Sequence, residues 1–178
     1  MNNLKEKYEK ILPELKKTFG LKNDLAAPRL VKVVVSIGTG KRRDKKQQEL
    51  IADHLAKITG QKPAWRGAKK AIASFKVRQG EPVGFLVTLR GARMYAFLDK
   101  LLNIALPRMR DFRGFKETVL DDTGNLTLGI REHIIFPETA DEDLKNVFGF
   151  AITIATTAHT RARGHALFRA LNFPFRKI

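Results

Sequence analysis

The sequence predicts an α+β fold: one mostly antiparallel sheet with helices packed on one face and the other face open. Three observations predict it. Segments whose apolar residues recur at every second position are interspersed with segments of helical spacing, without the strict strand–helix repetition of a parallel sheet. Two of the alternating segments lie close together around a Gly-Pro turn, as in a hairpin. A second strand pair then follows the longest helix. At 178 residues with 43% hydrophobic content, the chain is read as a single domain, 1–178, large enough to bury a core.

The elements follow in order. Leu4, Tyr8, Ile11, Leu12 and Leu15 fall at helical spacing, so residues 3–18 form an amphipathic helix ended by Gly20, with Pro13 as a kink. After Pro28, Val31, Val33, Val35 and Ile37 share one face of a strand. Asp44 caps the next helix, whose stripe Ile51, Leu55, Ile58 ends at Gly60. Residues 62–91 read as two strands joined through Gln79-Gly80-Glu81-Pro82, with Ala71, Ala73, Phe75 and Val77 alternating on the first and Val83, Phe85, Val87 and Leu89 on the second. Arg93 to Met109 is the strongest helix. Leu126, Leu128 and Ile130 alternate as a strand, a short helix starts near Asp141, Ala151–Thr157 is a strand, and Thr160 caps a final helix to about Leu171.

Charge bounds the partners. Lys and Arg number 34 against 18 Asp and Glu, a net +16, and such a field attracts polyanions. It is unevenly spread. Residues 41–80 carry twelve basic and three acidic side chains, whereas residues 121–150 carry two and seven. Cysteine is absent, which excludes thiol catalysis, disulfides and cysteine-ligated metal and fits a reducing cytoplasm. No apolar run reaches the ~20 residues needed to span a bilayer.

The stretch from Val33 to Gln48 places Gly38 and Gly40 between a strand and a helix, where a phosphate loop would stand. Its spacing fails. A P-loop needs Gly at position 35, where Val stands, and Ser or Thr at position 42, where Arg stands; a dinucleotide fingerprint from Gly38 needs Gly at position 43, where Arg stands. No nucleotide cofactor is therefore expected. His54, His133, His159 and His165 lack metal-binding spacing, so no metal is expected and the histidines are read as structural or surface residues. Asp121-Asp122 beside Thr-Gly-Asn reads as a turn rather than an acid/base pair.

The remaining chemistry is that of RNA. An open sheet carrying Lys, Arg, Thr and Phe can meet ribose and bases while aromatics stack. Thr88 and Arg90 share one face of their strand by its period of two. Lys41, Arg42, Arg43, Lys45 and Lys46 run into a helix start, where backbone N–H groups also favour phosphate. A nucleotide-using enzyme and a general binder of DNA or anionic surfaces are the alternatives.

The segments GQKP (60–63), FKVRQG (75–80), VTLRG (87–91), PRMRDFRG (107–114), GN followed by LGIREHIIFPE (124–138), and FPFRK (173–177) resemble, in order and over nearly the whole chain, the bacterial large-subunit ribosomal protein five family. The resemblance implies a non-enzymatic ribosomal constituent in the cytoplasm. Its partners would be 5S rRNA, large-subunit rRNA, peptidyl-site tRNA and neighbouring ribosomal proteins, including one of the small-subunit head, with no membrane and no cofactor. Carried over by motif, the 5S-facing positions are Ser36, Gln61, Phe75, Thr88, Arg90 and Gly91. The hairpin with Lys69, Lys70, Lys76 and Arg78 would reach tRNA, and Asp141, Glu142 and Asp143 would suit a basic protein bridge. The chain departs from the family at Ser36, where Asn is usual, and at Ala151, where Asp is usual. It departs again at Arg161 and Arg163, where the last helix usually starts with acids. Two arginines in a first helical turn oppose the dipole, so a phosphate of rRNA is expected to offset them.

Overall fold

A computed structural model describes residues 4–40, 44–110, 112–139 and 147–176. Five strands form one antiparallel sheet in the order β2-β3-β1-β5-β4: β1 (Leu30–Gly38), β2 (Ala64–Gly67), β3 (Pro82–Leu89), β4 (Leu126–Ile130) and β5 (Phe150–Thr156). The helices are α1 (Leu4–Phe19), α2 (Lys45–Thr59), α3 (Gly91–Lys100), α4 (Leu106–Arg108) and α5 (Arg161–Ala170). A π-helical turn, Leu101–Ala105, joins α3 to α4, so the predicted helix from Arg93 to Met109 is one helical run with a widened turn inside it.

By contact the chain groups into two compact units. The first comprises Met1–Val33, Leu89–Leu128 and Thr153–Ile178. In it α1 packs on α3 and α5, burying Leu4, Leu15, Met94, Phe97, Leu98, Leu167 and Phe168. Helix α1 runs through Pro13 and ends where Gly20 takes φ 61°. The Leu21 N–H reaches the Lys16 carbonyl at 3.0 Å, closing the helix end with a left-handed residue that glycine adopts without strain.

In the same unit, the turn after residue 120 is fastened on three sides. The Asp121 carboxylate accepts from the Asn125 N–H at 2.6 Å and from the Thr123 hydroxyl at 2.9 Å. Thr156 of β5 donates its N–H to the Asn125 Oδ1 and its hydroxyl to the Gly124 carbonyl. Helix α5 lies against the turn so closely that a Cβ on Gly164 would stand 2.6 Å from the Gly124 Cα. Burial works to raise the Asp121 carboxyl, but the hydrogen bonds from Asn125 and Thr123 outweigh it and hold it below its ordinary value of 3.8. A group easier to ionise in the folded chain stabilises the fold fully above the unfolded value and loses that contribution as pH falls through the lower folded one. Thermal unfolding of Asp121→Asn is expected to change less on acidification from about pH 5 to pH 2 than that of the unaltered chain; identical pH profiles would remove Asp121 from the acid response.

The second unit comprises Val34–Thr88 and Gly129–Ile152. Helix α2 starts and stops as its sequence dictates: the Asp44 carboxylate accepts the Lys46 N–H at 3.2 Å, and Gly60 ends it at φ 66°. Its inner face presents Ile51, Leu55 and Ile58 and packs on the short 3₁₀ turn Pro137–Thr139. His54 and His133, both buried, take structural places. The His133 ring lies parallel to Phe148 at 4.1 Å, its Nδ1 accepts the Phe148 N–H, and His54 stacks 5.3 Å away. Between β3 and β1 the backbones come so near at Gly84 that a Cβ would collide with the Ile37 carbonyl.

Two sequence expectations change. Val31 is 36% exposed while Leu30 is buried, because the in–out alternation of β1 slips by one between Leu30 and Val33. Residues 71–77 are not a strand. Strand β2 ends at Gly67, and the chain continues as a narrow loop whose apex is the 3₁₀ turn Ala73–Phe75, closed by Lys76 at φ 52°. The Gly80 N–H bonds the Ala68 carbonyl at 2.9 Å, so Gln79-Gly80-Glu81-Pro82 lies in the returning arm rather than at the turn. The residue alternation that suggested a strand satisfies one bridge, Ile72 with Val77, and no more. The short helix expected near Asp141 falls outside the described residues.

Candidate nucleic-acid interface

Alternation sets the chemistry of the two sheet faces. Along β3, Phe85, Val87 and Leu89 are buried while Leu86 and Thr88 are half-buried on the opposite side. Along β1, Val35 and Ile37 are buried and Ser36 is half-buried. Since β1 and β3 are neighbours, Ser36 and Thr88 share the face opposite the buried Val35, Ile37, Phe85 and Val87. Gln61, just past the end of α2, donates its side-chain amide to the Thr88 carbonyl at 3.3 Å. That bond spans 27 positions of sequence and ties the GQKP segment to the strand. Two residues beyond Thr88 the chain leaves the sheet at Arg90, which is exposed and extended, and Gly91 turns into α3 with φ 55°. That turn favours glycine because a side chain is strained at such a φ.

Phe75 does not stand on a strand. It projects from the 3₁₀ apex, 68% exposed, and lines a cleft with Ile37, Gly38, Val77 and Phe148. Lys69, Lys70, Lys76 and Arg78 are on the arms and apex of the same loop, and at least partly in water. The structure thus joins Gln61 to Thr88, leaves Ser36 on the same face of the neighbouring strand, and sets Phe75 over the end of β1.

The glycine turn after β1 is not built as a phosphate cradle. The Thr39 N–H, which such a cradle would aim at phosphate, donates instead to the Val83 carbonyl at 2.8 Å, and Thr39 is buried. Lys45 and Lys46 are exposed on the first turn of α2. Lys41, Arg42 and Arg43, like Asp141, Glu142 and Asp143, lie outside the described residues.

Arg161 and Arg163 have protein partners. The Arg161 guanidinium donates to the Glu117 carbonyl at 2.8 Å, and the Arg163 guanidinium lies 5.7 Å from the Phe19 ring centre. Thr160 accepts the Arg163 N–H as helix cap. A carbonyl and a ring face offset the cost that two cations incur at a helix start. Glu117 and Phe19 carry no sequence signal that could have identified them, since they stand 44 and 144 positions from the arginines they meet.

Among the described residues no cluster of three or more His, Asp or Glu is arranged to hold a metal ion, and no helix is long and apolar enough to cross a membrane.

Two family descriptions together match most of the chain: "Ribosomal protein L5" over residues 23–78, and the C-terminus of the same ribosomal family over residues 82–175. Among similar proteins, the "Large ribosomal subunit protein uL5" of Synechococcus sp. (strain RCC307) is 50% identical, covering 98% of each chain. The protein of the same name in Anaeromyxobacter sp. (strain K) is 49% identical over 98% of each, and that of Thermoanaerobacter sp. (strain X514) is 47% identical over 99% of this chain and all of its own.

Proposed function

Because the chain belongs to the ribosomal protein L5 family, structural and non-enzymatic constituents of the large ribosomal subunit in the cytoplasm, we propose that its open sheet face binds 5S rRNA. The observation that carries this reading is the polar set on neighbouring strands: Ser36 and Thr88 on one face, with Gln61 tied to the Thr88 backbone. Such groups discriminate by shape and by the ribose 2′-OH, and Arg90 and Gly91 follow at the strand's end. Lys45 and Lys46, with Lys41, Arg42 and Arg43, add phosphate contacts to large-subunit rRNA. Arg161 and Arg163, already held by Glu117 and Phe19, contribute a secondary one.

Competition between 5S rRNA and duplex DNA of equal length, at fixed salt, tests the reading. 5S rRNA is expected to win by ~100-fold or more, since net charge alone gives sequence-independent binding. Equal affinity would leave only a general binder of polyanions.

The exposed loop from Lys69 to Arg78 serves peptidyl-site tRNA. Replacing Lys70, Lys76 and Arg78 together by Ala is expected to leave isolated 5S binding within about threefold and to weaken tRNA retention on assembled ribosomes; the opposite pattern would refute this division of labour. Asp141, Glu142 and Asp143 are assigned to a basic protein of the small-subunit head, because acids gain nothing against phosphate. Their reversal to Lys is expected to weaken subunit association and to spare 5S binding, and unchanged association would count against the bridge.

A further inference from the structure

Trp65 is the one tryptophan of the chain, and it is 56% exposed. It stands on β2, one of the two edge strands of the sheet, in register with Phe85, and its ring touches the Phe85 ring at 5.1 Å and 56°. One side of the indole is thereby fixed against the core, and much of the rest is in water. The groove beside it is formed by Lys45, Gln48, Glu49, Glu81 and Pro82. Glu81 is engaged through an oxygen that accepts the Arg78 N–H at 2.9 Å.

The surroundings select the partner. From residue 60 to residue 72 there are four cations, Lys62, Arg66, Lys69 and Lys70, and no acid. An edge strand can recruit another protein by strand addition, but β2 is poorly suited to it. It is four residues long, its register shifts between Arg66 and Gly67, Pro63 precedes it, and Lys62 and Arg66 are at least partly in water; each of these blunts an edge. What the edge offers is a flat ring on a basic stretch of a chain of net +16, held in place before anything binds, so that little ordering is lost on contact.

We infer that Trp65 is a stacking platform for an unpaired base of ribosomal RNA, a contact separate from the open face bearing Ser36 and Thr88. The inference rests on the ribosomal reading above and assigns to it a further residue. The plain structural role, a cover over Phe85, predicts no RNA effect from a substitution that keeps the cover.

Since the chain holds a single tryptophan, its emission reports this ring alone. The full chain is titrated separately with deproteinised large-subunit rRNA and with 5S rRNA, and Trp65→Leu and Trp65→Phe are compared for affinity and thermal unfolding. Leu keeps the apolar cover and Phe keeps a ring. The expected result is quenched emission on saturation with at least one RNA, a loss of ~10-fold in affinity for that RNA in Trp65→Leu, and a loss within ~3-fold in Trp65→Phe, with both variants folded. Full affinity of Trp65→Leu together with unchanged emission of the unaltered chain overturns the platform and leaves the ribosomal reading intact. Failure of the unaltered chain to bind either RNA fells both. Full RNA affinity of Trp65→Leu with poorer retention in assembled subunits assigns the ring to a protein partner and likewise overturns the proposal.

Discussion

Gly164→Val is expected to destabilise the chain by about 3 kcal/mol, a fall in Tm of roughly 6–12 °C for a chain of this size. A Cβ at this position would lie 2.6 Å from both the Cα and the carbonyl oxygen of Gly124. Those are backbone atoms, and they cannot swing aside as the end of a side chain can. Nor can the turn retreat, because Thr156 grips it through Gly124 and Asn125. Helix α5 would have to lift instead, uncovering Leu167 and Phe168. Gly129→Ala is the matched control, for its Cβ would meet nothing within 4 Å, and a change within about 0.5 kcal/mol is expected. Comparable losses at the two positions in thermal unfolding would show that the approach of α5 to the turn is not what Gly164 provides.

Arg90→Ala is expected to lower affinity for 5S rRNA by ~5- to 150-fold, and Lys45→Ala or Lys46→Ala by much less. A guanidinium makes paired, directed hydrogen bonds, whereas the lysines act as point charges whose loss chiefly flattens the salt dependence. Arg90 also stands at the end of a rigid strand and before a fixed turn, so its position is set in advance. Filter binding at two salt concentrations checks both parts. Equal losses for Arg90 and the lysines at matched salt would reduce Arg90 to one more unit of charge.

Local chemistry made much of this structure legible. The limits of α2 followed from Asp44 and Gly60, since a cap acts on the very next residues and needs nothing distant. The stripes of β3 and β4 followed from alternation. The apex of the long loop did not, because Ala71, Ala73, Phe75 and Val77 alternate as a strand would while only Val77 finds a bridge, to Ile72; a strand is defined by its neighbour as much as by its residues. Contacts between distant positions were equally invisible. Gly124 and Gly164 are forty positions apart, and neither glycine alone announces that it faces the other. The site divides in the same way. Thr88 could be placed from its own strand, with Arg90 just past the strand's end, whereas the bond from Gln61 to Thr88 and the partners of Arg161 and Arg163 exist only in three dimensions.

The neck of the long loop has a mechanical consequence. A Cβ on Gly67 would stand 3.0 Å from the Gly80 carbonyl oxygen, so the two arms pass each other there with only hydrogen between them. The apex at Ala73–Phe75 is reached only through this neck, which the bond from the Gly80 N–H to the Ala68 carbonyl holds closed. A side chain at Gly67 would push the arms apart, so the aim of Lys76 and Phe75 is decided at Gly67 and Gly80, two residues with no side chain of their own.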